Sequence, residues 1–269
     1  MTVPVALTIA GSDSGAGAGI QADLKTFAAF GVYGVTVITA ITAQNTQSVR
    51  AVQDVDPAIV AAQFDAVADD FSIAALKTGM LSSAAIIETV ANGIQRHGLG
   101  PLVVDPVMVA KSGDRLLRED AVDALRRRLL PLAAVVTPNI PEAEVLAGRA
   151  IHSRDDRLSA AHAIIELGAR AVVIKGGHSN DDPIVDLLVD ARSVHEYPAA
   201  RIATSSTHGT GCTFSAAITA GLAEGHDLQH AVADARDYLS RALAEAPGLG
   251  HGHGPLGHFP LMQEAHAHH

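Results

Sequence analysis

The residues best suited to chemistry gather in a few short segments, of which the sharpest is Thr207-His-Gly-Thr-Gly-Cys-Thr-Phe214. Small residues run directly into an apolar stretch whose spacing, Phe214, Ala217, Ile218, Gly221 and Leu222, predicts a helix over 213–224. Backbone N–H groups of Gly209, Thr210 and Gly211 would then point outward from its N-terminus. That is an anion hole suited to charge developing on a transferring phosphoryl group. Cys212 falls in the first turn, where the helix field is expected to lower a thiol's pKa. By residue type alone a single cysteine reads as an inert buried hydrophobe. The Gly-Thr-Gly before it and the helix after it shift that reading toward chemistry.

Four further segments carry suitable groups. Gly11-Ser-Asp-Ser-Gly15-Ala-Gly17-Ala-Gly19 joins a strand-like run to a helix-like one, and its glycines let backbone approach a ligand closely. Gly17, Gly19 and Ala22 satisfy the G-x-G-x-x-G/A dinucleotide fingerprint. That fingerprint expects a carboxylate about 20 residues on, where this chain has Ala43-Gln44-Asn45. A tight turn packing helix against sheet is the other reading. Gln44 offers a donor and an acceptor, which could pair with an aminopyrimidine edge or cap a loop. Val136-Thr-Pro-Asn139-Ile-Pro-Glu142 ends a strand and opens a helix, with an amide and a carboxylate three residues apart. The pair could hold a hydrated Mg²⁺ through its waters, or form a capping box, and the two uses can coexist. Lys175, followed by Gly176 and Gly177, could serve as a point charge on nucleotide phosphates or stand as a solvated lysine. No Walker A loop is present.

Elements of two kinds must position these groups. Compact β-like runs at 5–10, 35–40, 73–77, 102–104, 134–136 and 171–174 alternate with helix candidates at 20–30, 57–70, 83–97, 118–129 and 159–167. Continuous apolar strands in such alternation predict a mostly parallel α/β sheet with helices on both faces. After residue 180, runs at 184–189 and 194–197 flank a polar turn and read as an antiparallel hairpin, followed by helices at 213–224 and 231–246. With neither a linker nor an internal repeat, residues 1–269 read as one domain.

Composition bounds the function. Of 269 residues, 48% are hydrophobic and 18% charged, which excludes a disordered chain. With Trp 0, Tyr 3 and Phe 6, the core must be aliphatic. The net charge of −10 argues against a nucleic-acid partner but leaves room for a small anionic substrate. Apolar runs fall short of the roughly 18 residues that span a membrane. The N-terminus has no basic start of a leader, and one cysteine suits a reducing compartment, so a cytoplasmic protein is expected. The Gly- and His-rich tail from His251 matches no recognised zinc spacing and is expected to be a loop followed by a loose terminus from about residue 260.

As an ordered set, these segments resemble one family. Ala6-Leu-Thr-Ile-Ala-Gly-Ser-Asp, Gly17-Ala-Gly-Ile-Gln-Ala-Asp-Leu-Lys-Thr26 and Val37-Ile-Thr-Ala-Ile-Thr-Ala-Gln-Asn45 carry the likeness in the first part of the chain. Lys77-Thr-Gly-Met-Leu81, Asp105-Pro-Val-Met, Ala110-Lys-Ser-Gly113, Thr137-Pro-Asn-Ile-Pro-Glu142, Lys175-Gly-Gly-His178, Thr207-His-Gly-Thr-Gly-Cys212 and Gly252-His-Gly-Pro continue it. The chain resembles the hydroxymethylpyrimidine/phosphomethylpyrimidine kinases of thiamine biosynthesis, within the ribokinase-like fold. The family's first loop commonly reads Asp-Pro-Ser-Gly-Gly-Ala-Gly, and here the proline is missing.

The likeness implies ATP-dependent phosphorylation of 4-amino-5-hydroxymethyl-2-methylpyrimidine and then of its monophosphate. It implies Gln44, Met80, Val107, Gly11, Asp13 and Gly19 around the pyrimidine, and Cys212 as a proton acceptor at the end of the Gly209-Thr210-Gly211 hole. Lys175 and Thr207 would meet ATP, with Asn139, Glu142 and, in a lesser role, Asp105 serving Mg²⁺ through water. It also implies a homodimer, with the hairpin over 184–197 as one place where an edge could pair. Pyridoxal kinase activity, a NAD-dependent oxidoreductase and a non-catalytic pyrimidine sensor are the competing readings.

Overall fold

The structure is a computed structural model describing residues 2–109, 113, 116, 119–178 and 182–259. Ala110, Lys111, Ser112, Arg118 and the tail from 260 onward, all named above, lie outside the described residues. In chain order the elements are β1 (Val5–Asp13), α1 (Gly19–Ala29), β2 (Tyr33–Gln44), β3 (Val49–Asp54), α2 (Pro57–Ala68), β4 (Ile73–Thr78), α3 (Ala84–His97), β5 (Leu102–Val104) and α4 (Glu119–Ala124). They continue as β6 (Ala133–Val136), α5 (Ile140–Ala147), α6 (Arg154–Glu166), β7 (Ala171–Ile174), β8 (Ile184–Asp190), β9 (Val194–Ala199), α7 (Thr210–Ala223) and α8 (Leu228–Ala244).

The strands form one sheet in the order β3-β2-β1-β4-β5-β6-β7-β8-β9. From β2 to β7 neighbours run parallel, as the buried apolar runs require, and β3, β8 and β9 are antiparallel to the strands before them. Strand alternation sends side chains to two layers. Leu7, Ile9 and Val104 face α2, α3, α5 and α6 through Phe64, Ile87, Ala143 and Ile164. Val103, Val135 and Val173 face α7 and α8 through Phe214, Ile218, Val232 and Tyr238. Phe27 of α1 meets Ala216 and Ala220 of α7 over Ala6 and Ala75. The small alanines let those helices lie close to the sheet.

Several boundaries move. β2 reaches Gln44 rather than stopping at 40, because β3, which period reasoning missed, pairs with residues 40–44. That antiparallel strand is exposed along most of its length, so it carries no apolar signature. α6 begins at Arg154, capped by Ser153, ahead of the predicted 159. α7 begins at Thr210, three residues before the predicted start, with Gly209 as its N-cap.

The stretch after α8 is tied down. Gly257 N–H donates to Ala242 O (2.9 Å), Tyr238 Oη to His258 O (2.6 Å), and His258 Nε2 lies 3.1 Å from Thr213 Oγ1 in the first turn of α7. His258 is 2% exposed. Burial, aided by the Lys25 charge, pushes its imidazole down to about 4, so it is neutral in the fold. A folded pKa below the unfolded value means the unfolded chain binds more protons, and stability is lost as pH falls through that window. Between pH 7 and pH 5, denaturant titrations should show wild type losing about 2 kcal/mol more than His258→Gln. The comparison is differential because Glu142, raised to about 7 by burial, has the opposite slope in an overlapping range. Parallel pH profiles for the two proteins would refute it.

Candidate active site

The parallel strands all end on one side of the sheet, where the loops leave a cavity of about 650 Å³. Open α/β sheets bind ligands at this carboxyl end. Each sequence-selected residue lines it: Gly11 and Asp13 at the end of β1 and Gly19 at the start of α1, Gln44 at the end of β2, Met80 after β4, and Asp105 and Val107 after β5. Asn139 and Glu142 at α5, Lys175 after β7, Thr207, and Gly209 through Cys212 complete the set.

Five helices, α2, α3, α5, α6 and α8, begin on a capping side chain. By contrast, α1 and α7 begin on Ala18 and Gly209, which supply no side-chain cap. A cap contributes about 0.5–2 kcal/mol, and it is missing at α1 and α7, two of the three helices whose first turns line the cavity, the capped α5 being the third. No side chain competes for their leading N–H groups, although Gly19 N–H faces the Cys212 sulfur and Thr210 N–H makes a long bond to Thr207 O (3.4 Å). Gly209 reaches this position at φ +81, and a Cβ there would lie 1.8 Å from Gly17 O. The two glycine loops thus touch backbone to backbone.

Beneath the α7 N-terminus lies a charged cluster. A Cβ on Gly211 would stand 3.2 Å from Lys175 Nζ, which is itself 3.2 Å from Asp105 Oδ1 and 4.0 Å from Glu142 Oε2. Ser215 Oγ donates to Asp105 Oδ2 at 3.2 Å. Burial opposes the Lys175 charge, but Asp105 and Glu142 outweigh it and hold the ammonium above its usual range. Asn139 and Glu142 form the reciprocal capping box, Asn139 N–H donating to Glu142 Oε2 (2.8 Å) and Glu142 N–H to Asn139 Oδ1 (2.9 Å). Burial and the nearby Asp105 push Glu142 up to about 7 against the pull of Lys175. Two carboxylates share one lysine, a surplus of negative charge that fits a divalent cation.

Cys212 departs from expectation. Burial pushes its thiol up to about 12, with Asp105 and Asp23 adding to the rise and Lys77 opposing it. The helix field does not win, because burial outweighs it, with Asp105 and Asp23 adding to the rise.

Asp13 lines the cavity, and both of its carboxylate oxygens are also engaged within the protein. Its Oδ1 accepts from Gly15 N–H (2.8 Å), and its Oδ2 from Gly17 N–H (3.0 Å) and Ala18 N–H (2.9 Å), with His208 Nε2 at 2.8 Å. The carboxylate is spent on the loop's shape. Burial would raise its pKa, but the His208 bond and charge hold it below the usual carboxylate range. His208 Nε2 also lies 3.4 Å from Gln44 Nε2, which sets the loop against the amide at the end of β2. Asn45 turns away from the cavity's chemistry, its Oδ1 accepting from Gln47 and Ser48 N–H groups.

Sequence reasoning missed a buried ion pair: Lys77 Nζ lies 2.8 Å from Asp23 Oδ1, both fully buried, and Thr8 Oγ1 donates to Asp23 Oδ2 at 2.6 Å. Burial works against the Lys77 charge, but Asp23, then Cys212 and Asp105, hold the ammonium above its ordinary value.

Comparison with known proteins agrees with this arrangement. Residues 13–257 match the family described as phosphomethylpyrimidine kinase. A Rhizobium meliloti hydroxymethylpyrimidine/phosphomethylpyrimidine kinase is 55% identical over 258 residues, covering 95% of this chain and 97% of the relative. The Clostridium difficile phosphomethylpyrimidine kinase structure superposes with a TM-score of 0.80 at 45% identity, covering 90% of this chain and 99% of that one. A Bacillus subtilis pyridoxal kinase solved as an ADP complex gives a TM-score of 0.90 at 41% identity, with 97% and 99% covered. This likeness overturns the dinucleotide-fingerprint reading, which the absence of a carboxylate after β2 had already weakened. A sheet with this cavity at its carboxyl edge, an uncapped helix above a buried lysine–carboxylate cluster, and near-full-length kinship together place the chain in the phosphomethylpyrimidine kinase family.

Proposed function

We propose that this chain transfers the terminal phosphoryl group of ATP to 4-amino-5-hydroxymethyl-2-methylpyrimidine, and then a second one to the monophosphate. The observation that carries the reading is the uncapped start of α7 directly above the Lys175–Asp105 pair, in the middle of the cavity. Sheet order puts Gly11, Gln44, Met80 and Val107 on the side of β2, β1, β4 and β5, a slot for a flat ring with an amide at its edge. On the other side Ile184, Ala200, Ile202, Leu239 and Leu243 make an apolar lobe beyond β7, suited to a nucleobase. Phosphate would travel between the two, past the α7 amides.

Phosphoryl transfer asks the protein chiefly for positioning and charge stabilisation. Gly209, Thr210 and Gly211 supply N–H donors, and Lys175 and Thr207 meet the phosphates. Glu142, Asn139 and Asp105 are the groups that would hold hydrated Mg²⁺, which when bound offsets phosphate charge and the surplus carboxylate. Cys212, once ionised to the thiolate, takes the proton of the primary alcohol. We also assign the chain to the cytoplasm and to a homodimer, with the sheet edges β3 and β9 as the surfaces to examine.

Mass analysis of chain incubated with ATP, Mg²⁺ and hydroxymethylpyrimidine should show the monophosphate and then the diphosphate; absence of both would defeat the reading. The pyridoxal kinase likeness favours pyridoxal as a second acceptor, since it too is a flat hydroxymethyl heteroaromatic. Side-by-side turnover should favour the pyrimidine, and a higher kcat/KM on pyridoxal would reverse the order.

A further inference from the structure

At the far end of α7 from Cys212 lies a cluster that the kinase reaction does not use. His226 Nδ1 is 3.4 Å and His230 Nε2 is 3.1 Å from Asp234 Oδ2. Among the described residues this is the group of three such side chains whose ligand atoms all fall within 4.8 Å of one another. We propose that His226, His230 and Asp234 bind one divalent transition ion of the Zn²⁺ class, clasping the corner between α7 and α8.

Three observations support it. The first is spacing: zinc–ligand bonds of about 2.0–2.1 Å in a tetrahedron set neighbouring ligand atoms roughly 3.3 Å apart. Two of the three edges already have that length, and the third closes by rotation of exposed rings. The second is that the backbone pre-sets the ligands. Gly225, at φ +89, ends α7 in a Schellman turn, with its N–H donating to Leu222 O (3.1 Å) and the His226 N–H to Gly221 O (3.0 Å). One residue later Asp227 caps α8 by accepting from the His230 N–H at 2.8 Å, and Asp234 follows one turn beyond His230. Both imidazoles are thus mounted on hydrogen-bonded turns. The third is the donor set, two imidazoles and one carboxylate, which suits Zn²⁺, Co²⁺ or Ni²⁺ and not Mg²⁺, which prefers oxygen. The 14 residues of α7 put this corner about 20 Å from the anion hole, so the two cation sites are independent. Exposure of the rings leaves positions for water, making this an exchangeable clasp.

The rival account is two imidazoles hydrogen-bonded to a carboxylate with no ion, and the histidines of the tail are a second possible location for metal. Chelator-stripped full-length chain is titrated with Zn²⁺ by calorimetry and with Co²⁺ by visible absorption, beside the double variant His226→Ala/His230→Ala and the single variant Asp234→Asn. Wild type should take up one equivalent more than the double variant and show a four- or five-coordinate Co²⁺ band that the double variant lacks. Asp234→Asn should bind that equivalent about 10–100-fold more weakly. Zn²⁺ should raise the Tm of wild type more than that of the double variant. Equal stoichiometry and equal Tm response would assign the metal to the tail and overturn the proposal. So would a Co²⁺ band unchanged in Asp234→Asn, a measurement that stands even if the double variant folds poorly.

Discussion

Replacing Cys212 with alanine should slow phosphorylation of the hydroxymethyl alcohol about 10²–10⁴-fold, the usual contribution of a general base, while transfer to the monophosphate falls far less. The first acceptor is a neutral alcohol that must shed its proton as the bond forms. The second is a phosphate that already carries negative charge, so it needs no base. The thiol environment adds a pH signature. Burial, with Asp105 and Asp23, pushes Cys212 up to about 12, so the sulfur is protonated at neutral pH. A base that works only as the thiolate makes the first step accelerate with rising pH, toward the thiol pKa, while the second step lacks that slope. Single-turnover rates for each step across pH, in wild type and Cys212→Ala, check both points. The variant should lose the pH slope of the first step. Equal losses in the two steps, or a first step already independent of pH in wild type, would reduce Cys212 to a packing residue.

The sequence made the α/β alternation legible because parallel strands buried on both faces are apolar in nearly continuous runs, as β5 and β7 are throughout and β1 and β4 are apart from Thr8 and Lys77 in their cores. It hid β3, whose exposed face demands no such pattern. The candidate site was legible where special backbone leaves a mark: glycines at 11, 17, 19, 209 and 211 stand where other loops or side chains press close. Charges were harder to read. Asp23 shares the buried face of α1 with Ile20 and Phe27, and Lys77 sits in the apolar run of β4, so each breaks its own pattern. Opposite charges on two buried faces should have been paired on that ground alone. The Cys212 shift was half readable: its main cause is burial, which the residue type suggests, but the added push of Asp23 and Asp105, 189 and 107 residues earlier, exists only in the fold. His208 was hidden inside the motif that contains it. Its partner Asp13 lies on the first loop, and only their 2.8 Å contact shows that Asp13, while lining the cavity, also shapes that loop.

Gly209→Ala should differ from Cys212→Ala by damaging both phosphorylations, with kcat/KM down about 10²–10³-fold in each, the cost of losing an aimed anion-hole donor. The positive φ of +81 alone costs an alanine on the order of 1–2 kcal/mol. The larger effect is steric, because the new Cβ would stand 1.8 Å from Gly17 O and 2.8 Å from Gly17 C, and backbone cannot swing aside as a flexible side chain can. Either the first loop retreats or the start of α7 does. Retreat of α7 moves the Thr213 N–H, which donates to Gly209 O at 2.8 Å, and with it the amides that face the phosphate. Retreat of the loop disturbs Asp13, His208 and the Gln44 amide packed beside them. Gly98→Ala is the control, since Gly98 has a comparable φ of +61 but nothing within 4 Å of its Cβ direction. It should lower Tm by a similar dihedral cost and leave both kinetic steps intact. If Gly209→Ala kept both steps near wild-type rates in a folded protein, the α7 amides would not be what stabilises the moving phosphate. If it slowed only the alcohol step, the substitution would be acting through Cys212, three residues away, and the separation of roles between the helix N-terminus and the thiol would fail.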